Sequence, residues 1–117
     1  MESSIVGLTH LTDREKAALA DLVEELSASL GQRLQKVVLY GSKARGDFNA
    51  DSDLDVLVVL DKRSLDSLDK VSGCSSDVVI EYGLPLAVVS VDAARLEQPS
   101  LFIRNVQRDG VELWTRH

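Results

Sequence analysis

The segment LYGSKARGDFNADSDLDVLVVL, residues 39–60, joins two apolar runs through a polar connection, and it decides the fold. The runs KVVLY (36–40) and LDVLVVL (54–60) are rich in Val and Leu, which is typical of buried strands. The connection GSKARGDFNADSD is rich in Gly, Ser, Asn and Asp, so it predicts a loop, or a short helical turn followed by a loop. Two core strands with a polar connection at their ends are therefore expected.

An amphipathic helix is predicted before the first strand. Thr12 and Glu15 stand at the capping-box spacing, in which each side chain can satisfy a backbone N–H at the start of a helix. Gly31 follows where the helix is expected to stop. Between these signals the apolar residues that recur at helical spacing are Leu19, Leu22, Val23, Leu26 and Leu30.

The second half of the chain carries weaker patterns for a helix with a loosened middle, a third strand, a last helix and a short final strand. Together with the elements above, they predict an α/β (α+β) fold with a small mixed sheet and helices packed mainly on one face. The segments are 64–82 for the helix, with Gly73 in its middle, 84–91 for the third strand, 99–110 for the last helix and 111–114 for the final strand.

Composition narrows the class of protein. With 117 residues, 44% of them hydrophobic, the chain suits a single domain over 1–117. Its formal charge of −6 argues against general nucleic-acid binding, because phosphate neutralisation needs clustered Lys and Arg. Cys74 is the one cysteine and is interpreted as a small buried residue. With no predicted membrane span or export signal, a cytoplasmic location is expected.

Asp53 and Asp55 are the candidate metal ligands. Residues i and i+2 of a strand project to the same face, so the two carboxylates start the second strand side by side. Like charges this close repel each other and raise each other's pKa unless a cation lies between them. The cation that prefers carboxylate oxygens together with water and phosphates is Mg²⁺.

The preceding turn supplies candidate phosphate ligands. Gly41 leaves room for a phosphate beside the backbone, and Ser42 can donate through its hydroxyl and its N–H. Lys43 and Arg45 add positive charge, and a guanidinium can meet a phosphate with two hydrogen bonds. Phosphate donors beside metal-binding carboxylates are what phosphoryl or nucleotidyl transfer requires.

The pattern GSKARG at 41–46 followed by SDLDVLVVL at 52–60 resembles the signature of the nucleotidyltransferase superfamily that includes DNA polymerase beta. The similarity is greatest to its minimal, single-domain bacterial and archaeal members. It implies a polymerase beta-like fold in which Gly41 and Ser42 hold a nucleoside triphosphate, ATP, and Asp53 and Asp55 are catalytic residues that ligate Mg²⁺. Such domains are typically antitoxins paired with a helical HEPN toxin, and the family's known activity transfers AMP from ATP to a tyrosine of that toxin.

One position departs from the family pattern. The superfamily carries a third carboxylate on the strand after the intervening helix, and the aligned residue in GLPLAVVSV is Ala87. Alanine binds no metal and accepts no proton, so the loss removes much of the general-base contribution, roughly 10²–10⁴-fold. Asp77, Glu81 and Asp92 are interpreted as a solvated helix face and a helix cap rather than as substitutes.

Two main hypotheses remain open from the sequence. The first is a Mg²⁺-dependent enzyme that transfers AMP to a protein hydroxyl. The second is a catalytically impaired member that neutralises a HEPN partner by binding alone, and Ala87 favours it. A purely structural domain leaves the phosphate and metal pattern unexplained, and the residues leave self-association open.

Overall fold

The computed structural model describes residues 11–46 and 52–116 of the chain. Within these ranges four helices and four strands follow one another in the predicted order. They are α1 (Asp13–Leu30), β1 (Leu34–Tyr40), α2 (Ser42–Arg45), β2 (Leu54–Leu60), α3 (Leu65–Tyr82), β3 (Leu86–Asp92), α4 (Leu101–Asp109) and β4 (Val111–Thr115). Short 3₁₀ turns occupy Gly31–Arg33 and Ala93–Glu97.

The four strands form one mixed sheet with the order β3-β2-β1-β4. β1 runs antiparallel to β2 and to β4, whereas β2 and β3 are parallel. A parallel pair needs a long crossover, and α3 supplies it. The predicted α+β fold with a small mixed sheet is confirmed.

The sheet has a larger core on one face and a smaller one on the other. α1 and α3 cover the first face, as predicted, and α4 covers part of the second. β2 is buried on both faces, which explains why its sequence is continuously apolar instead of alternating. On the larger-core side it contributes Leu54, Val56, Val58 and Leu60, and on the smaller-core side Leu57 and Val59.

Side-chain caps define the helix ends. Both hydrogen bonds of the predicted Thr12–Glu15 capping box are present, and Gly31 ends α1. Ser100 caps α4 by accepting a hydrogen bond from the Ile103 N–H at 3.1 Å. These ends are therefore set by local sequence.

Two details of the sequence interpretation were wrong. α3 runs without a break through Gly73, because buried Val71, Cys74 and Val78 pack it onto the core and outweigh the low helix propensity of one glycine. Asp92 precedes a 3₁₀ turn but makes no side-chain cap. Its carboxylate instead accepts a hydrogen bond from the Arg63 N–H at 2.5 Å.

The side chain of Cys74 is buried in the larger core, as interpreted from the sequence. His10, Asp47, Asp51 and His117 lie outside the described residues. Among the helices of 11–46 and 52–116, none combines the length and hydrophobicity needed to cross a membrane.

Two glycine-to-alanine changes should shift stability in opposite directions. A methyl group at Gly110 would lie 2.7 Å from Val38 Cγ1, so Gly110→Ala is expected to destabilise by about 1–3 kcal/mol. Gly73 is helical and has open space around it, so Gly73→Ala is expected to stabilise by about 0.5–1 kcal/mol. Urea unfolding of both variants measures the two effects, and equal shifts would contradict the packing described at Gly110.

Candidate functional site

The end of β1 meets the start of β2 at one edge of the sheet. Because these strands are antiparallel, Tyr40 pairs with Asp55, and the next residue, Gly41, lies against the Asp55 side chain. Strand pairing therefore brings together the two parts of the sequence signature. Asp55 and Tyr40 share the face of the sheet that carries the smaller core and α4.

Gly41 and the Asp55 carboxylate are in close approach. Gly41 has a φ of 78° and a ψ of −159°, a backbone conformation that is essentially restricted to glycine. A Cβ there would lie 3.3 Å from Asp55 Cγ and would overlap Oδ2. The glycine of the signature is thus required both by its backbone angles and by the carboxylate packed against it.

The turn after Gly41 is a single helical turn. The N–H groups of Ala44 and Arg45 donate to the Gly41 carbonyl at 3.2 and 3.1 Å, and the Gly46 N–H donates to the Ser42 carbonyl at 2.8 Å. Gly46 closes the turn in the left-handed region with a φ of 88°. This places Ser42, partly exposed, directly beyond the strand that carries Tyr40.

Electrostatics oppose ionisation of Asp55. Burial raises the pKa of its carboxyl above the usual value, repulsion from Asp53 raises it further, and Arg45 partly offsets both. Asp53 itself is exposed at the entry to β2. A divalent cation between the carboxylates would remove the repulsion, so the donor set suits a hard ion such as Mg²⁺.

Arg45 is positioned by α4. Its Nη1 lies 3.9 Å from Asp109 Oδ2, and its side chain is about half exposed. Asp109 also accepts hydrogen bonds from Arg108 Nε and Nη2, both at 3.1 Å. The last residues of α4 thus form one side of the site, a relation that spacing along the sequence did not indicate.

Lys43 lies elsewhere than its predicted role requires. Its side chain is 5% exposed, and its Nζ donates to Glu15 Oε2 of α1 at 2.7 Å. The Lys43 ammonium group therefore points into the protein toward Glu15, whereas the sequence analysis assigned it to a phosphate. Glu15 was recognised only as a cap, because no sequence signal links residues 28 positions apart.

The register of the parallel strands β2 and β3 shows which residue of β3 lies beside Asp55. Asp55 pairs with Ala87, so both side chains leave the same face of the sheet. Asp92 pairs with Leu60 at the far end of β3. Among the described residues, no three His, Cys, Asp or Glu side chains are grouped so that they could hold a metal ion.

Tyr40, which the sequence analysis did not assign to the site, lies next to Asp55 and packs against Phe102. The Tyr40 and Phe102 rings pack edge to face with their centroids 5.5 Å apart. Burial, and then the negative charge of Asp55, raise the pKa of Tyr40. The two rings connect β1 to α4 under the candidate site.

Comparison with known proteins gives a consistent result. The family model described as "Nucleotidyltransferase domain" matches residues 19–110. "Putative protein adenylyltransferase MJ0604" from Methanocaldococcus jannaschii is 30% identical over 103 residues, covering 86% of this chain and 98% of its own. A second protein of that organism, "Putative protein adenylyltransferase MJ0141", is 28% identical and covers 81% and 94%.

Solved structures share the fold. A crystal structure described as a "putative nucleotidyltransferase" from Sulfolobus solfataricus has a TM-score of 0.61 at 22% identity, covering 99% of this chain and 91% of that one. A "toxin-antitoxin with AMP-PNP" has a TM-score of 0.55 at 21% identity, covering 90% and 75%. The structures show similarity of fold.

Gly41→Ala should destabilise the chain more than Gly31→Ala. Both glycines have positive φ, but space around Gly31 is open, whereas a methyl group at Gly41 would displace the Asp55 carboxylate. We expect about 1–3 kcal/mol from the backbone at Gly41, plus the cost of moving Asp55. Denaturant unfolding measures the difference, and a larger loss for Gly31→Ala would contradict the close approach.

Asp55→Asn should stabilise the metal-free protein at pH 7. A raised pKa means that folding disfavours the ionised carboxyl, so the chain loses stability as pH rises through the folded-state pKa. The melting temperature of Asp55→Asn should exceed that of wild type at pH 7, and the gap should close as pH falls toward 3.8. Asp61→Asn, at the exposed far end of β2, is the control, and a lower melting temperature for Asp55→Asn would contradict the electrostatics.

Proposed function

Because the chain belongs to the nucleotidyltransferase domain family, we propose that it binds ATP and transfers AMP to a hydroxyl group of a partner protein. The hydroxyl oxygen would form the new bond to the α-phosphorus, and pyrophosphate would leave. The names of the two Methanocaldococcus relatives support protein adenylylation as the reaction. The fold shared with a toxin–antitoxin complex supports a toxin as the partner. We further propose a HEPN toxin, a tyrosine acceptor and a cytoplasmic antitoxin role, from the resemblance of the signature.

The observation that carries this proposal is the meeting of Gly41 and Asp55 at one edge of the sheet. Asp53 and Asp55 would hold Mg²⁺, which would supply charge neutralisation on the triphosphate and polarisation of the reacting phosphoryl group. Because Gly41 carries no side chain, the Asp55 carboxylate can lie directly against the turn that would hold the phosphates.

The two remaining polar residues of the turn have distinct tasks in this proposal. Ser42 would donate to a phosphate oxygen. The Arg45 guanidinium, about half exposed and placed near Asp109, would contact the triphosphate through two N–H groups. Lys43 is assigned to the core ion pair, so the proposal no longer includes direct phosphate binding by its ammonium group.

The proposed reaction also requires a group that accepts the proton of the attacking hydroxyl. A carboxylate at position 87 would lie beside Asp55, but the chain has alanine there. This observation favours a second candidate function, in which the chain keeps nucleotide and partner affinity and neutralises the toxin by binding alone. The two functions differ in whether the partner becomes modified.

Intact-mass spectrometry of a HEPN partner separates these functions. A HEPN protein is incubated with this chain, ATP and Mg²⁺. If the chain transfers AMP, the partner gains the mass of one or more AMP units, and Asp53→Ala abolishes the gain by removing a proposed metal ligand. Asp61→Ala is the matched control, because it removes an exposed aspartate from the opposite end of β2.

Ala87→Asp extends the experiment. Restoring a carboxylate beside Asp55 is expected to raise the rate by roughly 10²–10⁴-fold if general-base catalysis is what the chain lacks. Mass gain only with Ala87→Asp supports the binding module. Absence of AMP transfer by both wild type and Ala87→Asp would contradict the proposed reaction.

A further inference from the structure

A buried ion pair joins the first helix to the turn of the candidate site. Among the described residues, the buried polar side chains are Glu15, Lys43 and Ser67. Glu15 and Lys43 are in contact with each other, with Nζ and Oε2 2.7 Å apart and side-chain exposures of 9% and 5%. The pair therefore links α1 to α2 across the edge of the larger core.

Glu15 is itself held in place from the helix start. Its Oε1 accepts a hydrogen bond from the Thr12 N–H at 2.9 Å, and its own N–H donates to Thr12 Oγ1 at 3.1 Å. The second oxygen, Oε2, is the one that accepts from Lys43. One carboxylate thus closes the capping box of α1 and anchors α2.

The pair is costly to bury, so its position is informative. Removing two charges from water is unfavourable, and well-packed apolar residues of similar volume stabilise a core at least as well. Burial raises the pKa of Glu15, but the Lys43 and Thr12 hydrogen bonds outweigh it and hold the pKa below its usual value, so the carboxylate stays ionised near neutral pH. Unlike apolar packing, a hydrogen-bonded charged pair also fixes the direction in which the two side chains point.

That direction matters because of helix geometry. Successive residues on a helix are rotated by about 100°, so Lys43 and Arg45 project to nearly opposite sides of α2. Holding the Lys43 side chain in the core turns Arg45 outward, where its side chain is 43% exposed. The same contact fixes Ser42, the neighbour of Lys43 in the chain.

We propose that Glu15 is a positioning residue for the nucleotide-binding turn Gly41–Arg45, and that it acts through Lys43. The proposal rests on the proposed function, since it assigns Ser42 and Arg45 to the triphosphate. Lys43 is then an internal anchor, and the turn keeps its orientation because α1 keeps Glu15 in place.

A direct phosphate contact by Lys43 and a positioning role for Glu15 predict opposite effects of Glu15→Gln on the affinity for MgATP. If Lys43 bound phosphate directly, Glu15→Gln would remove a competing anion and leave the affinity for MgATP equal or higher. If Glu15 positions the turn, Glu15→Gln lowers the affinity even though the protein loses a negative charge. The substitution preserves the size of the side chain and its ability to accept the Thr12 hydrogen bond.

A double-mutant cycle on MgATP affinity tests this directly. We expect Glu15→Gln and Lys43→Met each to weaken binding by about 10-fold or more, as for residues that orient a ligand's direct contacts. The double variant should bind about as tightly as either single variant, because both remove the same contact. Asp66→Asn is the matched control, since it removes an exposed ion pair of 2.8 Å to Arg33, away from the site.

Hydrogen–deuterium exchange of the nucleotide-free protein tests the inference independently of ATP binding. The amides of Ala44, Arg45 and Gly46 should exchange faster in Glu15→Gln, while those of α3 stay as in wild type. Lys43→Met should give the same local pattern if Glu15→Gln does not fold. Wild type that fails to bind MgATP contradicts the proposed function, whereas unchanged exchange in the turn, or tighter MgATP binding by Glu15→Gln, overturns the positioning role.

Discussion

The close packing of the Asp55 carboxylate against Gly41 is the constraint on which the site depends. It follows from the antiparallel register that pairs Tyr40 with Asp55. A shift by one residue would turn every side chain of β2 to the other face, placing the Asp55 carboxylate in the larger core. The stability of the sheet and the geometry of the site therefore have the same origin.

Charged side chains lie on both sides of this contact, one pair buried and one arginine toward solvent. Inside, Glu15 and Lys43 neutralise each other between α1 and α2. Toward solvent, Arg45 lies 3.9 Å from Asp109 of α4, and its charge partly offsets the rise in the pKa of Asp55. The inner pair orients the turn. The outer arginine supplies positive charge near the two aspartates, where a triphosphate would add further negative charge.

Ala87 limits what the assembled site can do. The register places it beside Asp55, on the face where a third carboxylate would complete a metal cluster. The chain thus combines the proposed phosphate turn and carboxylate pair with an alanine at the third position of the proposed site. Membership of the family therefore does not by itself establish catalysis, because Ala87 supplies no carboxylate beside Asp55.

Local sequence determined the elements and the composition of the site. The Thr12–Glu15 cap, the apolar runs of β1 and β2 and the Asp53–Asp55 spacing predict helix, strands and paired carboxylates, because capping and side-chain alternation act over a few residues. Only the tertiary structure directed Lys43 into the core to meet Glu15 and brought Asp109 to Arg45. These contacts join residues that are far apart in the chain. The packing of the sheet and its helices decides them, because the sequence around one partner contains no information about the other.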